Sequence, residues 1–534
     1  MKRIVGIAFT ALSLSVSAPV LLAQSPAPAA AHATAKSATH ATQVKRLLIE
    51  NAMIINGAGT PAYGPADILT EGGVISKIGD SVAGRWPAAD AVIDATGKYV
   101  TPGIVNTHMH WHEERVGPIP IQYERNLYLA AGVTTAREVG GNFAKSVQWR
   151  AESAAHTIVA PRIVVYPMLT DLVGPGESAP VTPEEWAALV GRAKERGADG
   201  IKFIGPMDKD QVKAALSMAG SLRMPTTVHV AVGEATARDF VEAGVRCIEH
   251  FYGVADSALD EPQDFPADMN LWNEIHRFGR AGELYTQKSL NHDKLSALLD
   301  DMVKRGVAWS PTMSTYEATR DLIKAQNLPW YKDYLHPSLE EYFKPSMTRH
   351  GTFWIGWTAT EEIAWRKNYE VWMATLLEFG RKGGIITTGD DSGYLYGSMY
   401  GFGISRELEM QQEAGFSPLE VLQHATMNGA KVLGLDDKLG RIRQGYIADL
   451  LIVNGNPLEN LRLMNPYGTD LMAYEGKIVS NYSSFVKPGD PKVTMVHGGG
   501  IEWTIKDGIP YHVPTLMSEV KDMVTKARAE KTKK

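Results

Sequence analysis

Residues 101–112 read Thr-Pro-Gly-Ile-Val-Asn-Thr-His-Met-His-Trp-His. A Pro-Gly break is followed by a short apolar run that ends in His108 and His110. On a strand, a period of two puts both imidazoles on one face, where they can grip one ion from one side. Alone the pair is weak evidence, because a single strand histidine is more often a hydrogen-bonded core or rim residue. Its meaning depends on what accompanies it along the chain.

Seven further strand-like runs follow, at 133–140, 162–167, 199–204, 226–231, 246–251, 307–313 and 384–391, separated by amphipathic helical stretches. One of these stretches, residues 182–197, opens on a cap-like Thr182 and ends at Gly197. Alternation of apolar strands with helices is the signature of parallel βαβ units. Eight such units over residues 103–436 predict an α/β fold, a (β/α)8 TIM-like barrel with insertions. An open doubly wound sheet is the runner-up, and the lack of a Gly-rich phosphate fingerprint after an early strand counts against it. On either side, residues 46–102 and 437–534 break into short β-branched segments bounded by Gly, Asn and Asp. Their common texture predicts one small β-sandwich domain built from both chain ends. Residues 514–534 read as a terminal surface helix with a solvated basic tail.

With 534 residues, 44% hydrophobic and 21% charged, and a net charge of -6, the chain has the make-up of an ordinary globular protein. It lacks the basic footprint that nucleic acid requires. Met1-Lys2-Arg3 precedes an apolar stretch that ends in Val20-Leu21-Leu22-Ala23, which reads as a signal peptide over residues 1–23. The stretch is too short and too Ser-rich for a transmembrane helix. No stable membrane insertion is therefore expected after cleavage, and the protein is expected to be periplasmic or secreted; a retained anchor is the plainer alternative. Residues 24–45, dominated by Ala, Ser, Pro, Thr and His, read as a disordered linker. The single cysteine, Cys247, allows no internal disulfide and no Cys-rich metal site. Any metal must then be held by His and carboxylate groups. A homo-oligomer is left open.

In such barrels reactive groups sit at the C-terminal ends of strands. Five of the eight strands carry metal-ligand types near that end: His108 and His110 on the first, Lys202 on the fourth, His229 on the fifth, His250 on the sixth and Asp391 on the eighth. Each has a plain reading. A Lys after an apolar run usually snorkels to the surface, and Asp390 or Asp391 beside Gly389 is sufficient for a turn. Unrelated surface residues have no reason to fall at the ends of the right strands in the right order, so the conjunction favours a metal site.

At this point the residues resemble a known family. TPGIVNTHMHWH is similar to the Pro-Gly-x-x-x-x-His-x-His opening of the amidohydrolase superfamily. GVTTAREVGG, GADGIKFI, CIEH and TTGDDSG resemble its later signatures, and HATMNGAKVLGLDDKLGRIRQGYIADLLIVNGNP resembles its return to a small β domain. The resemblance covers about Arg46 to Asn481 and points to the imidazolonepropionase-like and prolidase-like members. It implies two divalent metal ions, zinc by default: one held by His108 and His110 with Asp391, the other by His229 and His250, with Lys202 bridging as a carboxylated lysine. A lysine beside two cations has a depressed pKa, so its neutral amine can capture carbon dioxide. The implied reaction is hydrolysis of a C–N bond by a metal-bridging hydroxide, with Asp391 as the proton-transferring catalytic residue. One departure is notable. The family's Gly-Thr-Asp at the eighth strand is Gly389-Asp390-Asp391 here, which leaves Asp390 as a candidate to exchange roles with Asp391. Cys247 is not expected to act as a nucleophile.

Loops after barrel strands shape specificity. Two insertions stand out, at 252–306 and 314–369, and the second carries Tyr316, Trp330, Tyr331, Tyr334, Tyr342, Phe343, Trp354, Trp357, Trp365 and Tyr369. These aromatics read first as the core of a helical lid, and secondarily as a surface for a bulky apolar or aromatic acyl group. Tyr252 and His112 are candidate substrate contacts, each with a rim role as its plain alternative. Arg137 reads either as a partner for a substrate carboxylate or, more commonly for such residues, as one half of an ion pair with Glu138 or another barrel carboxylate. The expected partner is a small-molecule amide or peptide. Three functions are open: a broad amide or cyclic-amide hydrolase, an Xaa-Pro or related metallodipeptidase, and a non-catalytic metal- or ligand-binding protein. The filled ligand set, with an aspartate a mere binder would not need, disfavours the last.

Overall fold

The computed structural model describes residues 36–533 apart from 82–85, 112–115, 175, 206, 231–233, 261–275, 277–289, 348, 350–353 and 480–488. The signal peptide, the linker before residue 36 and His112 lie outside the described residues.

All eight predicted strands form. They are β1 (Ile104–Met109), β2 (Val133–Glu138), β3 (Arg162–Val165), β4 (Ile201–Gly205), β5 (Thr226–Val230), β6 (Cys247–Glu249), β7 (Ala308–Ser310) and β8 (Ile385–Ile386). Every neighbouring pair is parallel and adjacent in sequence order, in a three-stranded sheet β1-β2-β3 and a five-stranded sheet β4 to β8. Single parallel bridges join the two sheets, Met168 to Lys202 on one side and Asn106 to Thr388 on the other. This is a TIM-barrel-like α/β arrangement. Strands β1, β2 and β5 are buried at every residue, as expected where a parallel sheet is covered on both faces.

Local chemistry sets the helices between them. Pro183–Glu195 starts where expected: Thr182 Oγ1 accepts from the Glu185 amide at 3.2 Å and Glu185 accepts in return from the Thr182 amide at 2.9 Å, a capping box that satisfies two otherwise orphaned donors.

A nine-stranded sheet takes strands from both ends of the chain. Arg46–Ile54 pairs with Tyr99–Pro102, which pairs with Leu450–Asn454, and Gly500–Lys506 follows. Leu47, Ile49, Ile68, Ile93, Val100, Ile452 and Ile505 form a buried cluster of its own on this sheet. Residues 36–45, which composition places in the linker, are seated against it. Lys36–Ser37 pairs with Ala91 and Val92, the Ala41 amide donates to the Pro510 carbonyl at 2.8 Å, and the His40 ring meets Tyr511 edge-on. Backbone hydrogen bonds to a sheet edge order this segment, and composition does not encode them.

The last helix, Val513–Thr532, buries Val513, Leu516, Met517, Val520 and Val524. It packs along Ile121–Ala130, where Asn126 Nδ2 donates to Glu519 at 2.8 Å. Further along, the Arg528 guanidinium donates to the carbonyls of Tyr331, Lys332 and Leu335. The helix thus holds the second insertion, and its basic end is not wholly solvated. Among the described residues no helix is long and apolar enough to cross a membrane.

The second insertion is a set of short helices, from Met313–Tyr316 to Pro337–Tyr342, ahead of the long helix Ala359–Arg381. Most of its aromatics pack against one another or the body: Trp330 stacks on Phe402 at 4.8 Å, and the Tyr369 hydroxyl donates to the Met313 carbonyl at 2.6 Å. The lid-core reading describes them. Tyr316 differs, because it also faces the candidate metal-ligand residues described next.

Candidate metal centre

Gly389 allows the end of β8 to meet the end of β1. A Cβ there would lie 2.6 Å from His108 Cβ, closer than packed carbons approach. With that space free, the amides of Asp390 and Asp391 both donate to the His108 carbonyl, at 3.1 and 3.0 Å. Three residues at the ends of β6, β7 and β8 then adopt left-handed backbone conformations: His250 (φ 59°), Thr312 (φ 49°) and Asp391 (φ 43°). Such conformations cost energy for non-glycine residues and concentrate where the surrounding fold aims a side chain.

The side chains they aim converge. His108 Nε2 lies 3.2 Å from His110 Nε2, and Asp391 Oδ1 is 3.3 Å from the first and 3.1 Å from the second. The Asp391 Oδ2 atom is 3.9 Å from His250 Nε2. The His250 ring centre is 4.9 Å from that of His108 and 4.6 Å from that of His229, and Tyr252 lies 5.1 Å beyond His229. His108 is 1% exposed and Asp391 8%. Burial, with the Lys202 amine adding to it, holds His108 well below the usual imidazole pKa, and burial followed by His229 does the same for His250. Both rings are therefore neutral at pH 7, with lone pairs to offer. Burial alone would raise the Asp391 pKa, but His108 and His110 reverse this and hold it well below the usual carboxylate range.

Asp390, the other candidate, faces away from the histidines. Asn106 Nδ2 donates to its Oδ1 at 2.7 Å and Ser392 Oγ donates to its Oδ2. Burial raises it to about 7.

Lys202 is buried, and its Nζ has no hydrogen-bond partner among the described residues. Burial lowers its pKa to about 7, opposed by Asp391 and aided by Arg137. Its nearest carboxylate, Glu249 Oε2 at 3.4 Å, was not singled out in the sequence. Glu249 also accepts from Arg137 Nη2 at 2.6 Å and from Thr227 Oγ1, and it faces His108 Nδ1. Arg137 is thus the ion-pair half of the two expected readings, with Glu249 as the barrel carboxylate. Its signal was present: an acidic residue within the buried run Cys247-Ile248-Glu249-His250 is out of place unless paired. Cys247 is buried, 3.9 Å from Arg137.

Two groups of side chains can offer three ligand atoms within 4.8 Å of one another: His108, His110 and Asp391, and His108, Glu249 and His250. Tyr316 meets His250 edge-on at 5.6 Å and is backed by Trp365, stacked at 5.9 Å, while Tyr394 meets His110 edge-on at 5.4 Å. The centre therefore has aromatic walls.

The sequence profile of the Amidohydrolase family matches residues 99–499. The chain belongs to the amidohydrolase family. Within that family, the chain is 26% identical over 196 residues to a dihydroorotase from Lactobacillus helveticus, covering 33% of this chain and 36% of that one. It is 36% identical over 67 residues to a D-phenylhydantoinase from Escherichia coli, covering 12% and 13%. The chain thus aligns with about a third or less of these relatives' length. In three dimensions this amidohydrolase resembles a crystal structure of a Xaa-Pro dipeptidase with bound methionine, at 20% identity and a TM-score of 0.57, over 88% of this chain and all of that one. At that identity the likeness is one of fold.

Proposed function

We propose that this amidohydrolase cleaves a C–N bond, in an amide or cyclic amide, with two divalent cations seated among His108, His110, Lys202, His229, His250 and Asp391. The observation that carries the reading is the convergence of His108 Nε2, His110 Nε2 and Asp391 Oδ1 within 3.3 Å of one another in a buried site. The donors suit borderline cations such as zinc: neutral imidazoles, an ionised carboxylate and no thiolate. Lys202 suits carboxylation, being buried, without a hydrogen-bond partner among the described residues and shifted to about 7. We read the eight strands as a closed barrel, on the strength of the bridges at Asn106–Thr388 and Met168–Lys202. Export to the periplasm or beyond rests on the leader-like residues 1–23.

Bound cations would lower the pKa of water and polarise the scissile carbonyl. The chain's own residues do the rest. His108, His110, His229 and His250 would hold the cations, and the ionised Asp391 carboxylate takes a proton from the attacking water and returns it to the leaving nitrogen. Tyr252, 5.1 Å from His229 between ring centres, stands where a hydroxyl can steady the carbonyl oxygen, and Tyr316 offers a face to an apolar acyl group. A dipeptidase reading requires a fixed cation for a free carboxylate. Arg137 is committed to Glu249, which favours the broader amide reading.

The test is metal analysis combined with activity on N-acyl amino acids, Xaa-Pro dipeptides and lactams. Full activity with fewer than two metals per chain overturns the binuclear reading. Selective cleavage of Xaa-Pro substrates favours the dipeptidase.

A further inference from the structure

Glu249 is wholly buried, and its polar contacts divide between its two oxygens. Oε1 accepts from Arg137 Nη2 at 2.6 Å and from Thr227 Oγ1. Oε2 faces His108 Nδ1, with Lys202 Nζ 3.4 Å away. On the far side of the His108 ring, Nε2 points at His110 and Asp391.

We propose that Glu249 is a positioning residue that fixes His108 in its Nδ1–H tautomer, so that the lone pair on Nε2 is presented to the cation; this rests on the metal reading above. A carboxylate can only accept. Carboxylates flank the ring on both sides, but Glu249 Oε2 lies much closer to Nδ1 than Asp391 Oδ1 does to Nε2, at 3.3 Å, so the ring proton belongs on Nδ1 and the opposite nitrogen is left bare. Carboxylates behind ligating histidines fix ring orientation and raise ligand basicity in this way, and their loss typically costs 10–100-fold in metal affinity. His250 has the same arrangement with a different acceptor. Its Nδ1 is 2.5 Å from Thr312 Oγ1, and that hydroxyl donates its own proton to the Pro311 carbonyl at 2.8 Å. The hydroxyl oxygen must then accept from the ring. Both histidines are set from behind, and both Nε2 atoms face Asp391.

Glu249→Gln separates this role from packing. Arg137 and Thr227 are both donors, so they keep the amide oxygen on their side and turn the amide N–H groups toward His108. Nδ1 must then accept, which moves the ring proton to Nε2. In full-length chain, E249Q is expected to melt within a few degrees of wild type and to bind cobalt(II) roughly 10–100-fold more weakly. At saturating cobalt it should reach the wild-type visible spectrum. In metal-free protein carrying 15N-histidine, the His108 signal, assigned by its loss in His108→Gln, should change from Nδ1–H in wild type to Nε2–H in E249Q. Unchanged cobalt affinity or an unchanged tautomer overturns the proposal. A different cobalt spectrum at saturation also overturns it, because Glu249 would then be a ligand itself. Should E249Q not fold, the wild-type tautomer alone decides, and Nε2–H there overturns it. Failure of the metal reading looks different: wild type takes up no cobalt and His110→Asn changes nothing.

Discussion

Asp391 meets His108 twice, once through the backbone, where its amide donates to the His108 carbonyl at 3.0 Å, and once through the side chain, where Oδ1 stands 3.3 Å from Nε2, near enough for both atoms to face one cation. The backbone bond anchors the root of the carboxylate beside the histidine pair. Its neighbour Asp390 is tied equally firmly to Asn106 and Ser392, on the other side.

The two aspartates should therefore separate cleanly on mutation. Asp391→Asn is expected to lower kcat by at least roughly 10²-fold, the usual contribution of general acid-base catalysis. Asp390→Asn should keep kcat within about tenfold but cost about 1–3 kcal/mol of stability, because it turns an amide donor on groups that already donate. Steady-state kinetics and melting curves on both variants check this. The reverse ranking would exchange the roles.

Arg137→Met leaves Glu249 as a buried charge without its main partner. The expected cost is about 3–5 kcal/mol. A double variant, Arg137→Met with Glu249→Leu, should recover part of that loss, since removing both charges spares the desolvation of either. Denaturant unfolding of the single and double variants measures the coupling, and strict additivity would contradict the pairing.

The strands themselves were legible in the sequence because parallel strands covered on both faces read as unbroken apolar runs. The ends of those runs pointed to His108, His110, Lys202, His229, His250 and Asp391, all of which the fold gathers toward one place. Glu249 is not legible in this way, because a buried carboxylate is tolerable only with its partner, and Arg137 lies 112 residues away. Residues 36–45 are a related case. Their composition is that of a linker, but their hydrogen-bond partners lie near residues 92 and 510. Local texture carries no record of such distant contacts.

Glu138, at the end of β2, is wholly buried and is pushed up to about 7 by burial, despite hydrogen bonds from the amides of Gly140 and Gly141. Its folded pKa thus exceeds its ordinary value of 4.5. Between those two pH values the folded chain keeps a proton that the unfolded chain has released, so this group's contribution to stability falls as pH rises toward 7. Glu138→Gln mimics the protonated form. It should be more stable than wild type at pH 8 by a wider margin than at pH 5, as read from melting temperatures across that range. An equal margin at both ends would refute it.

Tyr316 connects the lid to His250, with Trp365 stacked behind it. If acyl groups rest on this ring, Tyr316→Ala should raise KM for aryl-acyl substrates about tenfold, some 1.4 kcal/mol, while leaving that for acetyl substrates nearly unchanged. Equal effects on both would assign Tyr316 to lid packing alone.

The grip of Arg528 on the carbonyls of Tyr331, Lys332 and Leu335 spans nearly 200 residues of chain. At translation rates of roughly 5–20 residues per second, the arginine emerges about 10–40 seconds after the segment it fastens. For that interval the nascent polypeptide carries a lid without its clasp. The short helices that carry Tyr331 and Leu335 thus gain this hydrogen-bonded fastening only once residue 528 has been made.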